Sequence, residues 1–455
     1  MTGPRLAIDL GPLRRSRDLR LLFIGRGVSF AGSMLTFVAV PYQAYRISHS
    51  SLVVGLLSLA ELAALLLTGM LGGALADAAD RRRILRLTEA GLTLGSGALL
   101  ANALLGGQLW VLFVVAFFQA ALDGLQRPSL DALIPRLVPV EDMAATSAVM
   151  SLNTQVGMVA VPALAGLLLS GVGVGGAYAL DVGTFVVSMA CLWRLGAVAA
   201  PAEDSEVSVR AVAEGLRYAF RRRDLLGSYV VDINAMFFGM PNALFPQLAA
   251  RMGGATVLGV LYSAPAAGSF LVTLASGWYR RVNRQGLVIA VAAAVWGAGI
   301  IALGFAGALW EAALALVVAG GADMVSGLGR MTMWNESIPD GIRGRLAGIE
   351  FLSYSTGPTL GNVESGVVES LAGLRASIVS SGVLCVIGSA AVALALPAFR
   401  HYRSEEGRRH REPTPGPGPD ALTGPEAAPG SAAPGGAGPA GTAPPLPGFR
   451  VPPTP

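Results

Sequence analysis

From about residue 20 to residue 396 the chain returns again and again to apolar runs. Many reach the roughly 20 residues that a helix needs to cross a bilayer. Only 14% of the 455 residues are charged, where soluble domains carry about 25%. The mean hydropathy is +0.58. Such a chain lacks the polar surface to cover a water-facing globule, and it is read as an all-α, multi-pass membrane protein whose first partner is the lipid bilayer.

Twelve spans are predicted. The first six cover about 20–42, 52–75, 84–105, 109–127, 145–170 and 175–195; the second six cover 224–246, 256–278, 286–306, 309–330, 346–369 and 374–396. The arginines fall in alternate connections. One side holds Arg14, Arg15, Arg17 and Arg20, then Arg81, Arg82, Arg83 and Arg86, then Arg127 and Arg136, with further clusters at 217–223, 280–284 and 343–345. The other side holds only Arg46, Arg251 and Arg375. Positive charge stays inside, so both termini are expected in the cytoplasm of a cell-membrane protein. The same alternation explains the basic pI of 9.3 without nucleic acid. Residues 1–19 are too polar for a signal peptide's apolar core and are read as a retained cytoplasmic segment.

Cys191 and Cys385 lie within apolar runs and read as small core residues. His49, His401 and His410 form no cluster, so no metal site is expected. The connection at 197–223 turns from acidic "PAEDSEVS" to the basic amphipathic "VRAVAEGLRYAFRRR", suited to the inner membrane surface. It divides a half at 20–196 from a half at 224–396. A shift of 204 positions lays Gly73 on Gly277 and Ile134-Pro135 on Ile338-Pro339, so a six-plus-six duplication is expected. Residues 397–455 read as a tail rich in Pro, Gly and Ala that is too low in complexity to build a core. Its opening, "FRHYRSEEGRRHRE", reads as a solvated or headgroup-contacting stop.

The stretch "GGALADAADRRRIL" (72–85) ends one apolar run with acids and arginines. An aspartate at a membrane-embedded helix end needs a cation or a helix N-terminus to answer it. Gly73 permits close helix approach, Asp77 sits at the mouth, and Arg81 and Arg82 return one turn later. For Arg83 and Arg86 topology is sufficient reason. Here the chain resembles the major facilitator superfamily, whose signature between spans 2 and 3 reads G-x-x-x-D-R-x-G-R-R. Gly73, Asp77, Arg81 and Arg82 stand in register, while Ala78 and Asp80 replace its arginine and glycine. The resemblance implies an inner gate in which Asp123 and Arg127, one turn apart on span 4, complete the charge relay.

"RPSLDALIPRLVPVEDMAATSAVMSLN" (127–153) is similar to the subgroup of enterobactin-type siderophore exporters and macrolide-efflux permeases. Segments in spans 1, 8 and 11 favour the siderophore type. In span 5, Gly157, Pro162 and Gly166 partly copy the antiporter signature, with Val161 and Ala165 departing from it. Ionisable residues inside spans are functional candidates by default. Arg26, Glu61, Asp232 and Asp323 are the candidates for the substrate and proton cavity. Asp181 and Glu364 lie nearer the outside, and Glu350 reads as a gate or packing residue.

The resemblance implies a secondary exporter working by alternating access. The proton gradient would drive it without a bound cofactor, and its cargo would be a small molecule, a siderophore or, alternatively, a drug or macrolide. A monomer is expected. A channel, a membrane enzyme and a sensor stay as alternatives from other classes, although no Walker lysine motif, nucleophile elbow or HExxH appears.

Overall fold

A bilayer forces each spanning segment to satisfy its own backbone, and this chain does so with helices alone among the described residues. The computed structural model describes residues 11–78, 81–131, 133–196, 222–338 and 340–404; the side chains of 69–78, 81, 128, 131, 135, 280 and 340–354 lie outside that description. The long helices are α1 (Arg17–Ser48), α2 (Ser51–Ala78), α3 (Arg81–Leu104), α4 (Leu109–Asp131), α5 (Met143–Gly171) and α6 (Gly173–Trp193). After them come α7 (Arg223–Phe238), α8 (Ala255–Leu274), α9 (Gln285–Phe305), α10 (Leu309–Ser337), α11 (Asp340–Ala372) and α12 (Leu374–Ala395). Nine helices among the described residues are long and apolar enough to cross a membrane; α3, α7 and α11 are the ones that fall short.

Packing follows sequence neighbourhoods. Helix α1 lies on α5 and α6, α2 on α4, and α3 on α4 and α6. In the later part of the chain, α9 lies against α10 and α12, α8 against α10, and α7 against α11 and α12. Two seams join the early helices to the later ones, α2 with α11 and α5 with α8. The main buried core runs through both groups and includes Leu57, Leu112, Tyr178, Leu258, Ile289 and Trp296.

Several predicted boundaries move, each for a local reason. Helix α1 starts at Arg17 because Ser16 caps it, accepting a bond from the Leu19 N–H at 3.2 Å. It runs through Pro41 and ends only where His49 takes a left-handed backbone, φ 52°. The span predicted over 224–246 breaks instead after Phe238. Gly239, Pro241 and Pro246 interrupt the helical ladder, leaving a 3-10 turn at Asn242–Leu244 and a short helix at Phe245–Met252. The Trp296 indole donates to the freed Gly239 carbonyl at 2.7 Å. Helix α10 passes the predicted end at residue 330 and continues to Ser337, which draws Trp334 into the core.

At its start, over residues 397–404, the C-terminal tail departs from the reading of a solvated or headgroup-contacting stop; the rest of that stretch lies outside the described residues. Residues 397–404 dock against the ends of α7, α9 and α10. Phe399 is fully buried, its ring against Gly227 of α7 and its carbonyl against Gly286 of α9, where a side chain would collide. The Tyr402 hydroxyl lies 2.6 Å from Ser337 Oγ, and Gln285 donates to Ser404 Oγ at 3.2 Å. Burial, partly offset by the Ser337 bond, pushes the Tyr402 hydroxyl up to about 12, so it stays protonated and able to donate.

Candidate functional site

Apolar helices enclose a polar space on the inward faces of α1, α2, α4 and α6. Its upper chamber, nearer the α1–α2 turn, measures about 250 Å³. The charged side chains lining it are Glu61, Asp123 and Asp181. Residues from the later part of the chain close it, namely Asn242, Ala243, Tyr262 and Asn362. Phe37 and Tyr262 meet across it edge to face, ring centres 5.2 Å apart. A lower chamber of about 370 Å³ shares Ser33, Met34 and Asp123 with the first and runs toward the α2–α3 turn. It brings in two cations, Arg26 and Arg127, and a further acid, Glu89.

Hydrogen bonds hold the buried acids in place, as a carboxylate in an apolar bundle requires. Thr36 Oγ1 and Ser96 Oγ each donate to Asp181 Oδ2 at 2.6 Å, and Gln119 in turn donates to Ser96 Oγ at 3.2 Å. Gln126 Nε2 donates to Glu89 at 2.8 Å. Four helices, α1, α3, α4 and α6, are thus joined by one polar network beside the chambers.

The structure sorts the candidate residues. Glu61 and Asp123 line the upper chamber, Arg26, Asp123 and Arg127 the lower. Asp232 does not line either chamber. It is buried on α7 and pairs with Arg330 of α10 at 2.7 Å. Asp323, two turns before Arg330, lies within electrostatic reach of both. Gly73 and Asp77 fall in the last turns of α2 and Arg81 opens α3; their side chains lie outside the described residues. Arg82 and Arg86 both donate to the Trp193 carbonyl at the end of α6, at 3.4 and 3.3 Å, where a cation also faces the negative pole of the helix. Arg86 therefore does more than the topology role expected of it.

In α5, Gly157 faces the Phe30 ring of α1. Gly166 faces Gly259 of α8 so closely that a Cβ built on either would lie 2.8 Å from the other's Cα. Helix α2 meets α11 in the same manner, Gly55 against the Asn362 carbonyl and Gly366 against Leu52. Both seams lie toward the α1–α2 turn. The chambers are therefore capped at that end.

Reading the sequence missed Glu89, Arg330 and the partners of Asp181. Glu89 and Arg330 had a signal, since each is a lone charge in a helical apolar stretch. Arg330 stands at the predicted end of its span, where a charge is ordinary.

The chain matches the transmembrane secretion effector family over residues 7–416. Among curated proteins it is 27% identical over 407 residues to the enterobactin exporter EntS of Escherichia coli (strain K12), covering 87% of this chain and 96% of that one. Among solved structures it is similar to a POT family transporter in complex with 5-aminolevulinic acid, with TM-score 0.68, 13% identity and 84% and 97% of the two chains covered. It is also similar to a bacterial homologue of the human lysosomal transporter Spinster in an inward-facing, unoccupied conformation, with TM-score 0.66, 17% identity and 86% and 98% covered. Matched over nine-tenths of its length, the chain belongs to the transmembrane secretion effector family of major facilitator transporters.

Proposed function

We propose that this transporter is a proton-driven siderophore exporter working by alternating access, with twelve spans in two six-helix halves and both termini in the cytoplasm. The observation that carries the reading is the pair of joined polar chambers, sealed toward the α1–α2 turn and running toward the α2–α3 turn. An enclosed polar space in an apolar bundle serves a polar passenger. Arginine loading assigns the α2–α3 end to the cytoplasm, so the chambers would take cargo from inside. Similarity to an enterobactin exporter supports the cargo class. Siderophores carry polar chelating groups, which Arg26, Glu61 and Asp123 can engage. Glu61 and Asp123 are the proposed proton carriers, Asp77 with Arg81 and Arg82 the inner gate, and the working unit a monomer.

One observation favours a second reading, efflux of cationic drugs. The charged residues of the upper chamber are all acids, and Phe37 and Tyr262 offer aromatic faces to a cation. A single experiment separates the two. Deleting the gene and starving cells of iron should trap siderophore inside, and collapsing the proton gradient should do the same, with dye and macrolide resistance little changed. Normal secretion together with a large fall in drug resistance overturns the siderophore reading.

A further inference from the structure

Asn362 occupies a position that the cavity and the seam share. It is buried on α11, where its side-chain amide makes two bonds to different elements. Its Oδ1 accepts from the Ala243 backbone N–H at 3.1 Å, and its Nδ2 donates to Ser58 Oγ of α2 at 3.2 Å. The Ala243 N–H needs such a partner because the chain has left its helix after Phe238, and an unmet amide inside a bilayer is costly. Gly55 brings the backbone of α2 within reach. Asn362 thereby ties α2, α11 and the break after α7 together at one point.

A second tier repeats the arrangement seven residues away on both helices, about 10 Å along the axis. Ser51 of α2 donates to Gln247 Oε1 at 3.0 Å, and Gln247 Nε2 donates to Glu369 of α11 at 2.7 Å. Here the bridging amide comes from the region after the break, whereas in the first tier it is Asn362 of α11. Only the first tier touches the cavity: Ser58, Ala243 and Asn362 all line the upper chamber. The chamber's ceiling and the seam's latch are the same three residues.

We propose that Asn362 is the cargo-sensing latch of the outer gate, a positioning residue that holds α11 and the α7 break on α2 until cargo in the upper chamber takes over its hydrogen bonds. This rests on the exporter orientation given above. A passenger with amide, hydroxamate or catechol groups can exchange bonds with the Asn362 amide at little net cost, whereas an apolar passenger leaves buried polar groups unpaired if the latch opens. Opening is then favoured only by cargo that binds the open state better. The latch selects for hydrogen-bonding capacity, independently of charge.

The test uses the full-length protein in right-side-out membrane vesicles, with Cys191 and Cys385 replaced by alanine and Ala120→Cys in the upper chamber as reporter. An impermeant maleimide is added outside. Asn362→Ala should label at least about tenfold faster than the parent without cargo, since two hydrogen bonds are lost. Ser58→Ala, which leaves the Ala243 bond in place, should fall between them; it also carries the test if Asn362→Ala fails to reach the membrane. Parental labelling rates in both folded variants overturn the latch. Vesicles loaded with enterobactin separate this from the cargo reading. If enterobactin leaves the parent unchanged while Asn362→Ala still labels fast, the siderophore reading falls and the latch stands. If enterobactin accelerates the parent and Asn362→Ala labels at the parent's resting rate, the latch falls and the siderophore reading stands.

Discussion

Arg330 Nη1 lies 2.7 Å from Asp232 Oδ1, joining α10 to α7 with both side chains largely buried, 14% and 3% exposed. Ser326 Oγ accepts a second bond from the same nitrogen at 3.0 Å. Removing one partner strands the other charge in the bundle, which typically costs about 3–5 kcal/mol, whereas replacing both with apolar groups of similar size is far milder. Asp232→Ala and Arg330→Ala should therefore each lower the thermal unfolding midpoint in detergent sharply, and Asp232→Leu with Arg330→Met should recover most of it. Transport by that stable double variant then decides the role of the pair. Loss of transport marks a working charge pair; wild-type transport marks a structural one.

The seam between α5 and α8 makes a separate prediction. Gly166 and Gly259 allow backbone contact that no side chain fits without a shift. Gly166→Leu should hold the seam open and abolish transport while leaving helix content intact by circular dichroism. Gly166→Ala should be intermediate, because its Cβ meets the Ala255 carbonyl and Gly259 at 2.8 Å. Full transport by Gly166→Leu would show that the seam does not govern the cycle.

How far these features were legible in the sequence depends on their cause. Spans follow from local hydropathy, so most helices fall within a few residues of the expected place. Loss of local periodicity is also local, yet the break after Phe238 was hidden because Gly239, Pro241 and Pro246 sit in an apolar stretch that satisfies a span by composition alone. Glu61 and Arg26 stood out as charges inside spans, and the structure places both at the chambers. Asp232 carried the same signal but pairs with Arg330, because which face of α7 meets α10 is a property of packing that a single span does not encode. Asn362 gave no signal at all. A neutral amide in a helix becomes a latch only through what two distant segments place around it.

Docking of residues 397–404 predicts that tail truncations will divide sharply. Phe399 is wholly enclosed, and emptying such a site costs about 3–5 kcal/mol. Phe399→Ala, or a stop after Leu396, should destabilise the protein markedly in a detergent melt. A stop after Ser404 should leave the melt unchanged, since the Tyr402 and Ser404 contacts survive. Equal melts for the two truncations would mean that the docked segment contributes nothing to stability.

Orientation fixes which side the chambers face and is open to a direct measurement. Leu105, in the turn between α3 and α4, is 83% exposed, and Val140, between α4 and α5, is 88% exposed, so a cysteine at either would be reachable without unfolding. The first turn carries no arginine, while Arg127 and Arg136 flank the second connection. If positive charge is retained inside, Leu105 is expected outside and Val140 in the cytoplasm. With Cys191 and Cys385 replaced, Leu105→Cys should react with an impermeant maleimide in intact cells, and Val140→Cys only after permeabilisation. The reverse pattern would turn the capped end of the chambers toward the cytoplasm. The Asn362 latch would then close the inner gate, and the chambers of this conformation would open to the outside.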